Sequence, residues 1–260
     1  MSQSWEKQFT NYKKNIDKDF IDKEEEFKDL ISKNHIEGII DKDRYNEAKY
    51  KILFIAHETY CTTEDLSRYK ETGLIGAITK YGSNPTGNSA LSNNAEIAKE
   101  LLDFQNKKNA LYSVAWINLK KYPRLNTSKE NSKEIDWATV LNYSYIFNQI
   151  KEINPKIIIA ENIFDGKYGL WNPWSTFREE MKFFYIGSYS DNIDSYYERK
   201  SKTLIFDIPH PTARGKCKFN EKSITDYMKK CLELEAINSN SCNSFTLLDE
   251  WVPRRKRCQP

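Results

Sequence analysis

Several things are scarce in this chain of 260 residues, and each scarcity removes a class of function. No apolar run approaches the roughly 20 residues that a membrane helix needs, and the start, 1–14, lacks the apolar centre of a secretory leader. The expectation is a cytoplasmic protein with no membrane partner. Cys61, Cys217, Cys231, Cys242 and Cys258 are five in number and contain no Cys-x-x-Cys pair, which argues against a disulfide scaffold, a structural metal or an iron–sulfur cluster. No cofactor is expected. The net charge is only +3, so any polyanionic partner must be sought in where charges fall and not in their sum. Histidine is the scarcest informative residue: the chain has 3.

What is present is a polar but aromatic-rich chain, 30% charged and 13% aromatic, which speaks for a compact core and against disorder. In 5–40, Phe9, Tyr12, Ile16, Phe20, Phe27 and Ile31 recur at near-helical spacing, predicting one or two amphipathic helices. The pattern does not decide whether they belong to the core or to a partner interface. Short apolar runs follow at 51–56, 111–119, 156–160 and 203–208, with a further candidate at 182–187. Helical patterns lie between or after them at 93–104, 136–153, 176–181 and 221–237. Strands alternating with helices predict an α/β fold, a mostly parallel sheet of four to five strands covered by helices on both faces. The chain divides into an N-terminal helical extension (1–45), an α/β domain (46–237), and a linker with a basic tail (238–260) that ends in Arg254-Arg255-Lys256-Arg257.

Two of the three histidines follow directly on predicted strands, in His57-Glu58-Thr59-Tyr60 and in His210-Pro211-Thr212-Ala213-Arg214. In an open α/β sheet ligands bind beyond the carboxyl ends of the strands, so an acid, two imidazoles, a phenol and a guanidinium are expected to meet there. Glu58 is a carboxylate leaving a buried strand, fit to act as general base or charge stabiliser, or else a turn acid capping the next helix. Tyr60 is a pocket wall or ordinary packing. His210 stands between Pro209 and Pro211, which restrict its backbone and suit a residue that donates one hydrogen bond to a developing anion. Arg214, Lys216 and Lys218 follow at once, and Lys120, Lys121 and Arg124 follow the strand ending Trp116-Ile117-Asn118-Leu119. Basic side chains flanking an aromatic-lined cleft are the expected footprint of backbone-phosphate contact. Glu161 and Asn162, after 156–160, either line the same crevice or cap the next helix.

The constellation resembles the uracil-DNA glycosylase superfamily across roughly 51–237. The family's first motif, Gln-Asp-Pro-Tyr at a strand end, aligns with His57-Glu58-Thr59-Tyr60, and its His-Pro-Ser motif with its DNA-inserting loop aligns with His210-Pro211-Thr212 and the basic loop through Lys218. Between them Asn118 stands where the family reads the base edge. The resemblance implies a three-layer α/β sandwich and hydrolysis of the N-glycosidic bond of a flipped-out base in DNA. It implies that Glu58 positions or activates water and stabilises the cationic sugar, with His57 beside it, that His210 donates to the departing base, and that Asn118 holds the base edge. A stacking aromatic is expected downstream of the first motif, with Tyr69 and Tyr81 as candidates. Glu58 replaces the shorter Asp or Asn of the family, His57 replaces Gln and Thr59 replaces Pro, and 61–92 does not match the uracil enzymes. The pocket is therefore expected to take a base other than uracil, as in glycosylases of phage defence that remove bulky hypermodified bases.

Overall fold

A computed structural model describes residues 12–34, 37–61, 66–67, 69–72, 76, 89–125, 132–163, 183–189, 193–211 and 220–238. The helices are α1 (Lys18–Asn34), α2 (Lys42–Glu47), α3 (Ser89–Leu102), α4 (Lys107–Tyr112), α5 (Ser132–Ile153) and α6 (Glu221–Asn238). The strands are β1 (Gly38–Ile39), β2 (Ile52–Ala56), β3 (Tyr60–Cys61), β4 (Ala115–Asn118), β5 (Arg124–Leu125), β6 (Ile157–Glu161), β7 (Phe183–Tyr189), β8 (Ile193–Glu198) and β9 (Thr203–Ile208). None of the described helices is long and apolar enough to cross a membrane.

Seven strands form one mixed sheet in the order β1-β4-β2-β6-β9-β8-β7, and β3 pairs with β5 in a two-stranded ribbon. The four to five strands expected from the sequence are thus too few. Four parallel strands, β4-β2-β6-β9, make the centre, and the antiparallel strands β1, β8 and β7 extend it at its edges. The central strands are apolar on both sides because both sides are covered. Ile52, Phe54, Trp116, Ile157, Ile159, Leu204 and Phe206 pack with α3, α4 and α6 on one face. Leu53, Ile55, Ile117, Ile158, Ala160 and Ile205 pack with α5 on the other. At about 1.5–3 kcal/mol for each large side chain removed from water, these two layers are the main source of stability.

The run 111–119 is divided: its first residues close α4, where Leu111 is buried, and only Ala115–Asn118 are extended. The helix expected at 176–181 lies outside the described residues. α1 belongs to the core. Asp17 Oδ1 caps it by accepting from the Phe20 amide at 3.1 Å, and the side chains Phe20, Glu24, Phe27 and Ile31 fall on one buried face. Ile16, Phe20 and Tyr45 join the same apolar cluster as Leu53 and Ile55. The acid in that stripe, Glu24, foreshadows the construction of the site.

Candidate functional site

The chain runs from β2 to β4 on one side of the sheet and later returns to β6 on the other, so strand order reverses at β2 and β6. Ligands of open α/β sheets bind beyond the strand ends at such a reversal. His57 and Glu58 leave β2 there, and Glu161 and Asn162 end β6. Asn162 has φ 58°, a left-handed conformation that a short polar side chain tolerates. Its amide donates to Ile208 O at 2.7 Å and its carbonyl oxygen lies 3.4 Å from His57 Nε2, which ties the exits of β2, β6 and β9 together.

Backbone pairing carries the exits of β2 and β4 past the sheet. Leu119 N donates to Ala56 O, Lys120 N to His57 O, and Arg124 N to Thr59 O, all between 2.8 and 2.9 Å, and β3 then pairs in parallel with β5. This zipper sets the Glu58 carboxylate, 4% exposed, against the segment after β4. Lys120 Nζ bridges Glu58 Oε2 at 2.9 Å and Glu134 Oε2 at 2.7 Å, and Arg124 Nε lies 3.4 Å from Glu58 Oε1. Burial works against the Lys120 charge, but the bonds to Glu134 and Glu58 outweigh it and raise the amine above its ordinary value. Glu58 Oε1 accepts no hydrogen bond among the described residues.

Behind this pair lies a second one. Lys121 is fully buried, and its Nζ donates to Glu37 Oε2 at 2.6 Å, Asn118 O at 2.6 Å and Gln149 Oε1 at 3.2 Å. Glu24 of α1 grips the same loop, accepting from the amides of Lys121 and Tyr122 at 2.9 Å each and from Asn142 Nδ2 at 2.7 Å. Burial raises its carboxyl above the usual range, against the lowering effect of those bonds. Lys120 and Lys121 were expected to contact DNA phosphates; the structure corrects this, because both ammonium groups are enclosed and matched by carboxylates. Asn118 is likewise buried, its Nδ2 shared between Thr59 Oγ1 at 2.8 Å and Glu37 Oε1 at 3.3 Å, so that amide braces the loop instead of presenting itself to a base.

On the opposite wall the His210 side chain is 37% exposed, with Nε2 3.6 Å from Glu161 Oε2, and its ring centroid stands 6.0 Å from that of His57. Asp136, in the first part of α5, interacts with His57; burial pushes its carboxyl up to about 6, while His57 pulls it down. The expectation that His57, Glu58 and His210 share one end of the sheet therefore matches the structure. Tyr69 is buried against Phe27, with ring centroids 6.2 Å apart, and its hydroxyl reaches Thr59 Oγ1 at 3.4 Å. Tyr60 contributes backbone pairing through β3. Tyr81, Thr212, Arg214, Lys216 and Lys218 lie outside the described residues.

Glu37, Glu134, Asp136 and Asn94 were not legible as site residues. Asn94 alone carried a signal, as an asparagine pair with Asn93 interrupting an apolar helical pattern. A separate cleft of about 700 Å³ opens between α1, β1 and α5, lined by Ile31, Glu37, Tyr145, Gln149 and Glu152 among others, away from the histidines. Among the described residues, no group of three or more His, Cys, Asp and Glu side chains is placed to hold a metal ion. The chain matches no protein-family model and no curated protein.

Proposed function

We propose that the protein is a DNA glycosylase that hydrolyses the N-glycosidic bond of a flipped-out damaged or modified base, leaving an abasic site. The observation that carries this reading is the Glu58 carboxylate: buried at the end of the first parallel strand beside His57, with one oxygen that accepts no hydrogen bond among the described residues, at the end of the sheet where the His57 and His210 rings stand 6.0 Å apart. Buried acceptors in native proteins nearly always have a donor, so a buried one with no donor among the described residues fits a reactant water. Glu58 orients that water and its negative charge, shared with Lys120 and Arg124, offsets the cationic sugar. His210 donates to the departing base. Helices on both faces of a central parallel sheet support the uracil-DNA glycosylase-like sandwich that the strand-end motifs imply. The departures at His57, Glu58 and Thr59 favour a modified base, of the bulky kind found in phage DNA, as the substrate.

Glu58→Gln and His210→Ala are each expected to lower base release by about 10²–10⁴-fold with folding intact. Alkali cleavage of DNAs carrying uracil, deaminated purines and modified cytosines measures the abasic product. Wild-type rates from both variants on an accepted substrate would remove the assignment.

The burial of Lys120 and Lys121 favours a second reading, hydrolysis of free nucleosides or nucleotides, because it takes two cations away from phosphate contact. Turnover on DNA falls steeply with salt, and turnover on a free nucleoside does not.

A further inference from the structure

A line of polar side chains runs from the core to His210. Asn94 of α3 is fully buried and donates Nδ2–H to Glu161 Oε1 at 2.5 Å. The other oxygen of Glu161 is the one 3.6 Å from His210 Nε2. Glu161 is 2% exposed, so its charge has almost no water around it, whereas the imidazole is open at the crevice. Beside Asn94, Asn93 Nδ2 donates to Pro211 O at 2.7 Å, which fixes the backbone immediately after the histidine. Two adjacent asparagines on one helix thus hold both the carboxylate and the loop that carries the imidazole.

Asn94 satisfies an oxygen of Glu161 without neutralising it. A buried carboxylate persists as an anion where positive charge lies close, and a protonated His210 supplies that charge at ion-pair distance. Among the described residues, other ionisable groups at this end of the sheet are His57, 6.0 Å from His210 ring to ring, Asp136, which interacts with His57, and Asp207 of β9, whose Oδ1 accepts from Ile163 N at 2.7 Å. Among these described groups, Glu161 included, three are acids and one is an imidazole, and Glu161 is the acid at ion-pair distance from His210. Farther round the crevice, the charge of Glu58 is matched by Lys120 and Arg124.

Building on the glycosylase reading, we infer that Asn94 and Glu161 are positioning residues that keep His210 as an imidazolium, so that the enzyme releases bases of the amino-bearing, cytosine or adenine type, which leave only when protonated. The anion of a uracil-type base spreads its charge over two carbonyls and departs with a hydrogen bond alone. The anions of cytosine- and adenine-type bases are less stabilised and need a full proton. In the reaction the C1′–N bond breaks and its electron pair stays on the base. The His210 proton moves to the base, and the water oxygen bonds to C1′. The proton lost by that water passes to Glu58 and on to solvent, from which His210 is recharged.

Titration of the His210 ring by NMR in the full chain tests the relay without any substrate. The wild-type ring is expected to titrate above the free-imidazole reference of about 6.5, and Glu161→Gln to lower it toward that reference. Asn94→Ala should lower it in the same direction by less. A wild-type value at or below the reference, or a value unmoved by Glu161→Gln, overturns the relay; the wild-type measurement stands even where a variant fails to fold. On DNA, Glu161→Gln is expected to depress excision of cytosine- and adenine-type bases at least about tenfold more than excision of uracil. Equal loss on both classes overturns the substrate class. Release of no base by the wild type removes the glycosylase reading and the substrate class with it, while the titration still decides the relay.

Discussion

On the β2–β4 wall of the crevice the charges are matched inside the protein: Lys120 lies between Glu58 and Glu134, Lys121 against Glu37, and Glu24 collects two donors from the loop after β4 and a third from Asn142 of α5. On the β6–β9 wall Glu161 is just as deeply buried, but the imidazole it faces is open at the crevice. The difference separates two uses of a buried acid. Where both members of a pair are enclosed, as Lys121 and Glu37 are, the pair fixes a loop, and its energy is largely offset by desolvation. Where one member reaches solvent and can exchange a proton, the pair sets the protonation state of a group that a ligand can touch.

The largest expected effect comes from breaking the enclosed wall. Lys121→Met leaves Glu37 as an uncompensated buried charge and is expected to cost about 3–5 kcal/mol in urea unfolding. Adding Glu37→Gln removes that charge and should restore most of the loss. A cost under about 1 kcal/mol for Lys121→Met alone would show that this pair does not lock the wall.

A smaller effect is expected at Glu24. Its Oε2 accepts from Lys121 N and Asn142 Nδ2, and its Oε1 from Tyr122 N. Glutamine offers a single acceptor oxygen and turns an amide NH₂ toward a donor on the other side, so Glu24→Gln should cost about 1–3 kcal/mol. The loop that it holds carries Lys120, the partner of Glu58. On the proposed glycosylase reading, excision should therefore fall in this variant even at temperatures where the fold survives, and unchanged excision would disconnect α1 from the crevice.

How much of this was legible follows from the range over which each signal acts. The central strands were readable because Ile52–Ala56, Ile157–Glu161 and Thr203–Ile208 are covered on both faces and so are nearly continuous in apolar residues. β8 was missed because its polar residues find partners away from solvent: Ser195 bonds Gly187 O and Tyr227, and Glu198 bonds the turn at Lys200 and Ser201. β1 is too short at two residues to leave a pattern. The meeting of His57, Glu58 and His210 at one end of the sheet was legible because strand ends and prolines are local features. Lys120 and Lys121 were misread as surface cations because lysine is seldom enclosed, and their partners Glu58 and Glu37 lie 62 and 84 residues away. Nothing at short range distinguishes a lysine with a distant carboxylate from one in water.

Asp136 sharpens the comparison, since it interacts with His57 while burial works against its anion. Its carboxyl sits at about 6 in the folded protein against 3.8 ordinarily, chiefly through burial. Between these values the folded state binds the proton and the unfolded state has lost it, so stability falls as pH rises through about 4 to 6 and stays lower above. The full shift corresponds to roughly 3 kcal/mol, and partial solvent access reduces it to about 1–2 kcal/mol. Asp136→Asn should recover that amount at pH 7 and give almost nothing at pH 4, as followed by urea unfolding at the two values. Equal effects at both pH values would mean that packing, and not the buried charge, makes the difference. His57 enters the same balance with the opposite sign, because a protonated ring favours the Asp136 anion. His57→Ala should therefore push the carboxyl higher still and deepen the loss above pH 6, which places the acid on α5 and the imidazole on the β2 exit in one electrostatic unit.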